Sequence, residues 1–121
     1  MTQQHEKHLR KIIDRVFYDT RSATAVLKKT WTTQHPHCAL ERDRLTQIRA
    51  VYRTKKGNLF AYSHSEIGYG RDEDGVCGSW SRVEKKILPL PTASDAVDWL
   101  TEQGFPAGSV AEQFPAGLRA A

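Results

Sequence analysis

Between Leu45 and His64 the chain alternates polar and apolar positions in the way a hairpin does. Ile48, Ala50 and Tyr52 fall on one side of the alternation, and Gln47, Arg49, Val51 and Arg53 on the other. That period of two puts successive side chains on opposite faces of a strand. Leu59 to His64 returns as the partner strand. The intervening Lys55, Lys56, Gly57 and Asn58 form the turn, with Gly57 and Asn58 expected to supply the positive φ that tight hairpins demand. A further strand is expected over SRVEKKILPL, ending at Pro89, which lacks the N–H a ladder needs.

Helical spacing is clearest in TASDAVDWLTEQG. Thr92 or Ser94 is the expected cap, Asp95 and Asp98 sit near the positive end, and Ala93, Ala96, Val97 and Leu100 repeat at three, four and seven. Gly104 is placed to end this helix in a left-handed conformation, with Phe105 folding back and Pro106 barring continuation. Nearer the start, Leu9, Ile12, Ile13 and Val16 form a narrow apolar stripe that predicts a short amphipathic helix, with a strand beginning in KIIDRVFYD as the alternative. Asp19 or Thr20 then caps a second helix whose inner face is Ala23, Val26, Leu27 and Trp31. Thr32 to Arg44 and the glycine-rich Ser65 to Trp80 are expected as long connections, the second with some strand at its ends. After Gly104 the pattern predicts a tail with one short helical turn and fraying final residues. The expected fold is α+β: a small antiparallel sheet of three to four strands with two or three helices packed on one face. Residues 1–121 form one domain, with an N-terminal helical extension (1–16), a core (17–104) and the C-terminal tail (105–121).

Composition fits that picture. A chain of 121 residues with 39% hydrophobic content can bury a core without disulfides or metals. Its two cysteines, Cys38 and Cys77, are too few for a disulfide-dense secreted scaffold and are expected as reduced thiols in a cytoplasmic protein. No uninterrupted apolar leader opens the chain, and nowhere do about 18 apolar residues run together, so the expectation is a soluble protein without a membrane partner. Lys and Arg outnumber Asp and Glu 18 to 14, giving a net charge of +4. That surplus steers the chain toward acidic partners more than it selects among them.

Catalytic readings are weak. His35, His37 and Cys38 cluster in HPHC and, with Cys77, offer four potential zinc ligands, but no second CxxC pair accompanies them. Pairing either thiol with His64 as a nucleophile and base lacks an oxyanion hole or any motif beside it. The RDEDG run fails the spacing of a calcium loop. A non-enzymatic protein without cofactor or metal is therefore expected.

The combination of Tyr18-Asp19-Thr20, an alanine-containing segment, YRTKKGNLF from Tyr52 to Phe60, Ile87, Pro89 and Leu90 in ILPL, and Ala96, Trp99 and Leu100 in the last helix resembles a family of small uncharacterised proteins carried by phages, plasmids and conjugative elements. The resemblance spans Ile12 to Gly104 and departs where YSHSEIGYG stands in place of a YGEGG segment. It implies a non-catalytic binding protein that inhibits a bacterial defence complex, in its most concrete form an anti-CRISPR protein acting on a CRISPR effector. The expected partner-binding residues are Lys55 and Lys56 at the turn, Arg49 and Arg53 on the outward strand face, and Glu66, Arg71, Asp72, Glu73 and Asp74 in the long loop. The three consecutive carboxylates suit the basic groove of a nucleic-acid enzyme. The alternative is an accessory DNA- or RNA-binding protein, with Arg49, Arg53, Lys55, Lys56, Arg82, Lys85 and Lys86 on phosphates and Tyr62 or Tyr69 stacking on bases. Tyr52, Phe60 and Trp99 are expected in the core.

Overall fold

The computed structural model describes residues 8–34, 44–69 and 80–119. Its described chain opens with a two-stranded antiparallel hairpin, β1 (Arg10–Ile13) and β2 (Val16–Asp19). β3 (Thr24–Gln34), β4 (Arg44–Arg53), β5 (Leu59–Tyr69) and β6 (Trp80–Leu90) follow as a second antiparallel sheet, ordered as in the sequence. Helices α1 (Ala93–Glu102) and α2 (Ala107–Gln113) and a 3-10 turn (Pro115–Gly117) complete it. The fold is α+β, with more strand than helix.

Both faces of the four-stranded sheet are covered, by different layers. Val51 and Ala61, paired across β4 and β5, join Leu90 and the helical residues Ala96, Trp99, Leu100, Phe105, Val110 and Phe114 in one core. The opposite face carries Ile48, Ala50, Tyr52, Phe60, Tyr62 and Ile87, and Tyr18 of β2 caps it together with Leu9, Ile13 and Val16. Phe60 is the centre of this second core: its ring lies 5.2 Å from Tyr18, edge to face, and 5.4 Å from Tyr52, stacked. Complete burial of such a side chain contributes about 1.5–3 kcal/mol. Central strands buried on both sides explain why Val51 is fully buried although the alternation groups it with polar residues.

Helix α1 matches its sequence signals. Thr92 accepts from the Asp95 amide while the Asp95 side chain accepts from Thr92, a reciprocal capping box. Gly104 takes φ +79°, the Phe105 amide folds back to the Leu100 carbonyl, and a new helix begins after Pro106. Pro89 lies one residue inside β6, an edge strand, where a missing N–H is tolerated.

Elsewhere the chain departs from its apparent periods. The expected N-terminal helix is a hairpin over the described residues, because Asp14 and Arg15 turn the chain and set Ile13 opposite Val16. Leu9, Ile13 and Val16 then share the inner face through period-two alternation, leaving Ile12 outside. The expected second helix is β3. A bulge between Ala25 and Leu27 inserts Val26 and shifts the alternation by one, so Ala23 packs on the aromatic core while Val26 and Leu27 both reach the helical core. Apolar residues on either side of a bulge imitate helical spacing. Asp19 and Thr20 accordingly make a turn: Asp19 Oδ1 accepts from the Arg21 amide at 2.9 Å, and buried Thr20 Oγ1 accepts from the Leu9 amide at 3.0 Å. Of the two expected loops, Thr32–Gln34 and Arg44 are strand, residues 65–69 continue β5, and β6 already starts at Trp80. The remainder of both loops lies outside the described residues, as do Cys38 and Cys77. The expected tail is part of the core, through Phe105, Val110 and Phe114.

Candidate binding surface

The β4–β5 tip is built on one glycine. The Gly57 amide donates to the Thr54 carbonyl at 2.9 Å, the Thr54 amide to the Asn58 carbonyl at 2.8 Å, and the Asn58 amide to Thr54 Oγ1 at 3.0 Å. Lys55 and Lys56 thus occupy the centre of a tight turn, and Gly57 closes it at φ +91°. Asn58, expected at positive φ, does not adopt it, because a single left-handed residue suffices to re-enter the ladder. Lys55, Lys56 and Arg53 are exposed.

Sequence patterning missed the second half of this surface. The β1–β2 turn places Asp14 at φ +49° and Arg15 at φ +67°, positions where Asn-Gly or Asp-Gly is preferred. Holding a non-glycine residue there costs on the order of 1 kcal/mol. The strained turn points at the β4–β5 tip. Arg15, Phe17, Asp19, Lys55 and Lys56 all line one groove of about 480 Å³ between the two hairpins. Three cations face one carboxylate in it. Phe17 remains 57% exposed and its cross-strand partner Ile12 70% exposed, so the outer face of β1–β2 is apolar and uncovered by any described residue. A usable signal was present, since Val16, Phe17 and Tyr18 are consecutive and any strand must turn one of them outward.

Arg49 is occupied differently from the outward cation the alternation suggests. Its guanidinium donates to the Ile48 carbonyl at 2.9 Å, the His64 carbonyl at 3.1 Å, Gln47 Oε1 at 2.7 Å and Gln103 Oε1 at 3.2 Å, and lies over Trp31. Burial lowers its pKa. Lys29, paired with Arg49 across the strands, donates to the Gln103 carbonyl and sits 4.9 Å from the Trp31 ring. Two cations tolerate each other there because they meet the negative end of α1 and an aromatic face. Arg49 therefore ties β4 to Gln103 at the C-terminal cap of α1.

The other expected residues are dispersed. Glu66 is half-buried on β5, on the face opposite Arg49, whereas Arg71, Asp72, Glu73 and Asp74 lie outside the described residues. Tyr62 is fully buried, so it presents no face to a base; its hydroxyl meets His64 Nδ1 at 3.2 Å. Burial, then neighbouring Tyr52, push the Tyr62 pKa up, and burial raises that of Tyr52. Arg82 pairs with Glu84 at 2.6 Å, and Lys85 donates to the His8 carbonyl at 3.1 Å. Tyr52, Phe60 and Trp99 are core residues as expected. Among the described residues no group of three His, Cys, Asp or Glu side chains is placed to hold a metal ion, and no helix is long and apolar enough to cross a membrane. Comparison with family models, curated proteins and solved structures yields no match.

Proposed function

We propose that the protein is a non-catalytic binding module of a mobile genetic element that inhibits a bacterial defence nucleoprotein, a CRISPR effector in the form the sequence resemblance implies. The observation that carries this reading is the meeting of Arg15, Lys55, Lys56 and exposed Phe17 in one groove between two hairpin tips. Among the described residues, no hydrogen bond or ion pair engages the side chains of Arg15, Lys55 or Lys56. Their charge is available to steer and hold an anionic surface, and an exposed aromatic beside them adds contact area without ordering a long flexible chain. Both hairpins stand on one aromatic core, where Tyr18 of β2 meets Phe60 of β5, and a surface already formed in this way limits the ordering cost of docking.

The test is capture of partners by the tagged full chain in a bacterium with active CRISPR and restriction systems, before and after nuclease treatment. The proposal expects a defence complex that survives nuclease and is lost with the double variant Lys55→Glu, Lys56→Glu. Recovery of nucleic acid alone, or of proteins that disappear on nuclease treatment, moves the protein to the accessory DNA- or RNA-binding class. Undiminished capture by the double variant moves the contact off this groove.

A further inference from the structure

Resting on that binding reading, we infer that the outer face of the β1–β2 hairpin seats single-stranded nucleic acid, a base stacking on Phe17 and phosphates meeting Arg15, Lys55 and Lys56 at one end and Arg10 at the other. Two cationic grooves bracket the hairpin. One is the groove between the tips, and the other, of about 280 Å³, is lined by His8, Leu9, Arg10, Arg21 and Lys85. Their outlying cations, Arg15 at the β1–β2 turn and Arg10 at the start of β1, stand apart by roughly the length of four-residue β1, about 10 Å, a distance spanned by a few nucleotides. Along the face between these cations lies the cross-strand pair Ile12 and Phe17, exposed among the described residues, with Phe17 itself lining the first groove.

Charge and shape select the occupant. The acids on this hairpin are Asp14, at the turn, and Asp19, whose Oδ1 already accepts from the Arg21 amide. Asp19 stands opposite Arg10 across the hairpin, but Arg15, Lys55 and Lys56 at one end and Arg21 and Lys85 at the other make the surroundings of the face cationic overall, so a second copy of the chain would set like charges against each other. A duplex keeps its bases in the stack and offers Phe17 no ring, whereas a single strand offers both a ring and a flexible backbone that reaches cations at either end. Phe17 supplies what buried Tyr62 does not.

The inference is tested on the full chain by fluorescence anisotropy with labelled oligothymidylate and oligouridylate of about 12 nucleotides and a duplex of equal length. Single strands are expected to bind more tightly than the duplex, and the two oligonucleotides separate DNA from RNA as the source. With three or four phosphates engaged at about 0.7 each, log K falls with log salt at a slope of about −2 to −3. Phe17→Leu keeps an apolar residue but removes the ring, and weakens binding about ten-fold, while Phe17→Trp retains it. Lys55→Glu with Lys56→Glu weakens binding and flattens the slope. Equal affinity for Phe17→Leu, preference for duplex, or no binding of either oligonucleotide by a folded chain overturns the inference. So does self-association in light scattering that Phe17→Leu abolishes, which assigns the face to a second copy. Failure here alongside continued capture of a nuclease-resistant complex leaves the defence-complex reading standing, and the converse pair of results removes that reading alone.

Discussion

The two hairpins of this chain share a motif and little else. β4–β5 lies in the middle of a four-stranded sheet, flanked by ladders on both sides and buried on both faces, through Val51 and Ala61 on one and Tyr52 and Phe60 on the other. Among the described residues β1–β2 pairs only with itself, and it rests on the sheet through Leu9, Ile13, Val16 and Tyr18 while no described residue covers its other face. One hairpin is the centre of the fold and offers only its tip to a partner. The other offers a whole face, and its attachment depends on a few apolar residues and the Thr20 bonds to Leu9. Local stability follows such differences in burial and pairing.

Substitutions should separate the two. The largest effect is expected from Phe60→Ala, which empties the site between Tyr18 and Tyr52 and should cost about 3–5 kcal/mol in denaturant unfolding. A loss below about 1 kcal/mol would mean that the aromatic layer is not the shared foundation of both hairpins. Thr20→Val removes the acceptor for the Leu9 amide and should cost about 1–2 kcal/mol. Hydrogen exchange should show that loss concentrated in residues 10–19, with β4 and β5 little changed. At the turns the comparison inverts. Gly57→Ala meets open space but retains φ +91°, and should destabilise by about 1 kcal/mol. Arg15→Gly relieves φ +67° and should stabilise by up to about 1 kcal/mol while weakening partner capture, a dissociation of stability from binding that thermal melts and pull-downs measure together.

Alkaline titration probes the aromatic layer as a unit. Tyr52 and Tyr62 have folded pKa values raised above the ordinary 10.0, so folding favours their protonated forms. Stability from this source is complete below about pH 10, where both states are protonated, and falls as pH rises through and beyond it while the unfolded chain ionises first. Denaturant midpoints at about pH 8 and pH 11 should therefore fall with pH, and Tyr62→Phe should fall less.

The contrast also explains what was legible. At β4–β5 the alternation, the glycine turn and the core role of Tyr52 and Phe60 are all written locally, as is the Thr92 capping box of α1. At β1–β2 the turn residues are Asp14 and Arg15, which carry no glycine or asparagine signal, so four apolar positions on two strands read as one helical stripe. The bulge at Val26 disguised β3 in the same way, despite its run of β-branched and aromatic residues. Alternation identified Arg49 as facing away from Tyr52 but not that Gln103, at the end of α1, would meet it. The groove joins residues some forty positions apart, and its Phe17 and Arg15 become meaningful only once the strained turn brings them to the lysine tip.

Amide hydrogen exchange of the full chain, free and in the complex it captures, tests most directly whether the paired hairpin tips are the contact. Gained protection across residues 10–19 and 54–58, with the exposed edge of β3 and α2 unchanged, is the predicted result. Protection gained on β3 and α2 while both hairpin tips exchange as in the free protein would contradict it.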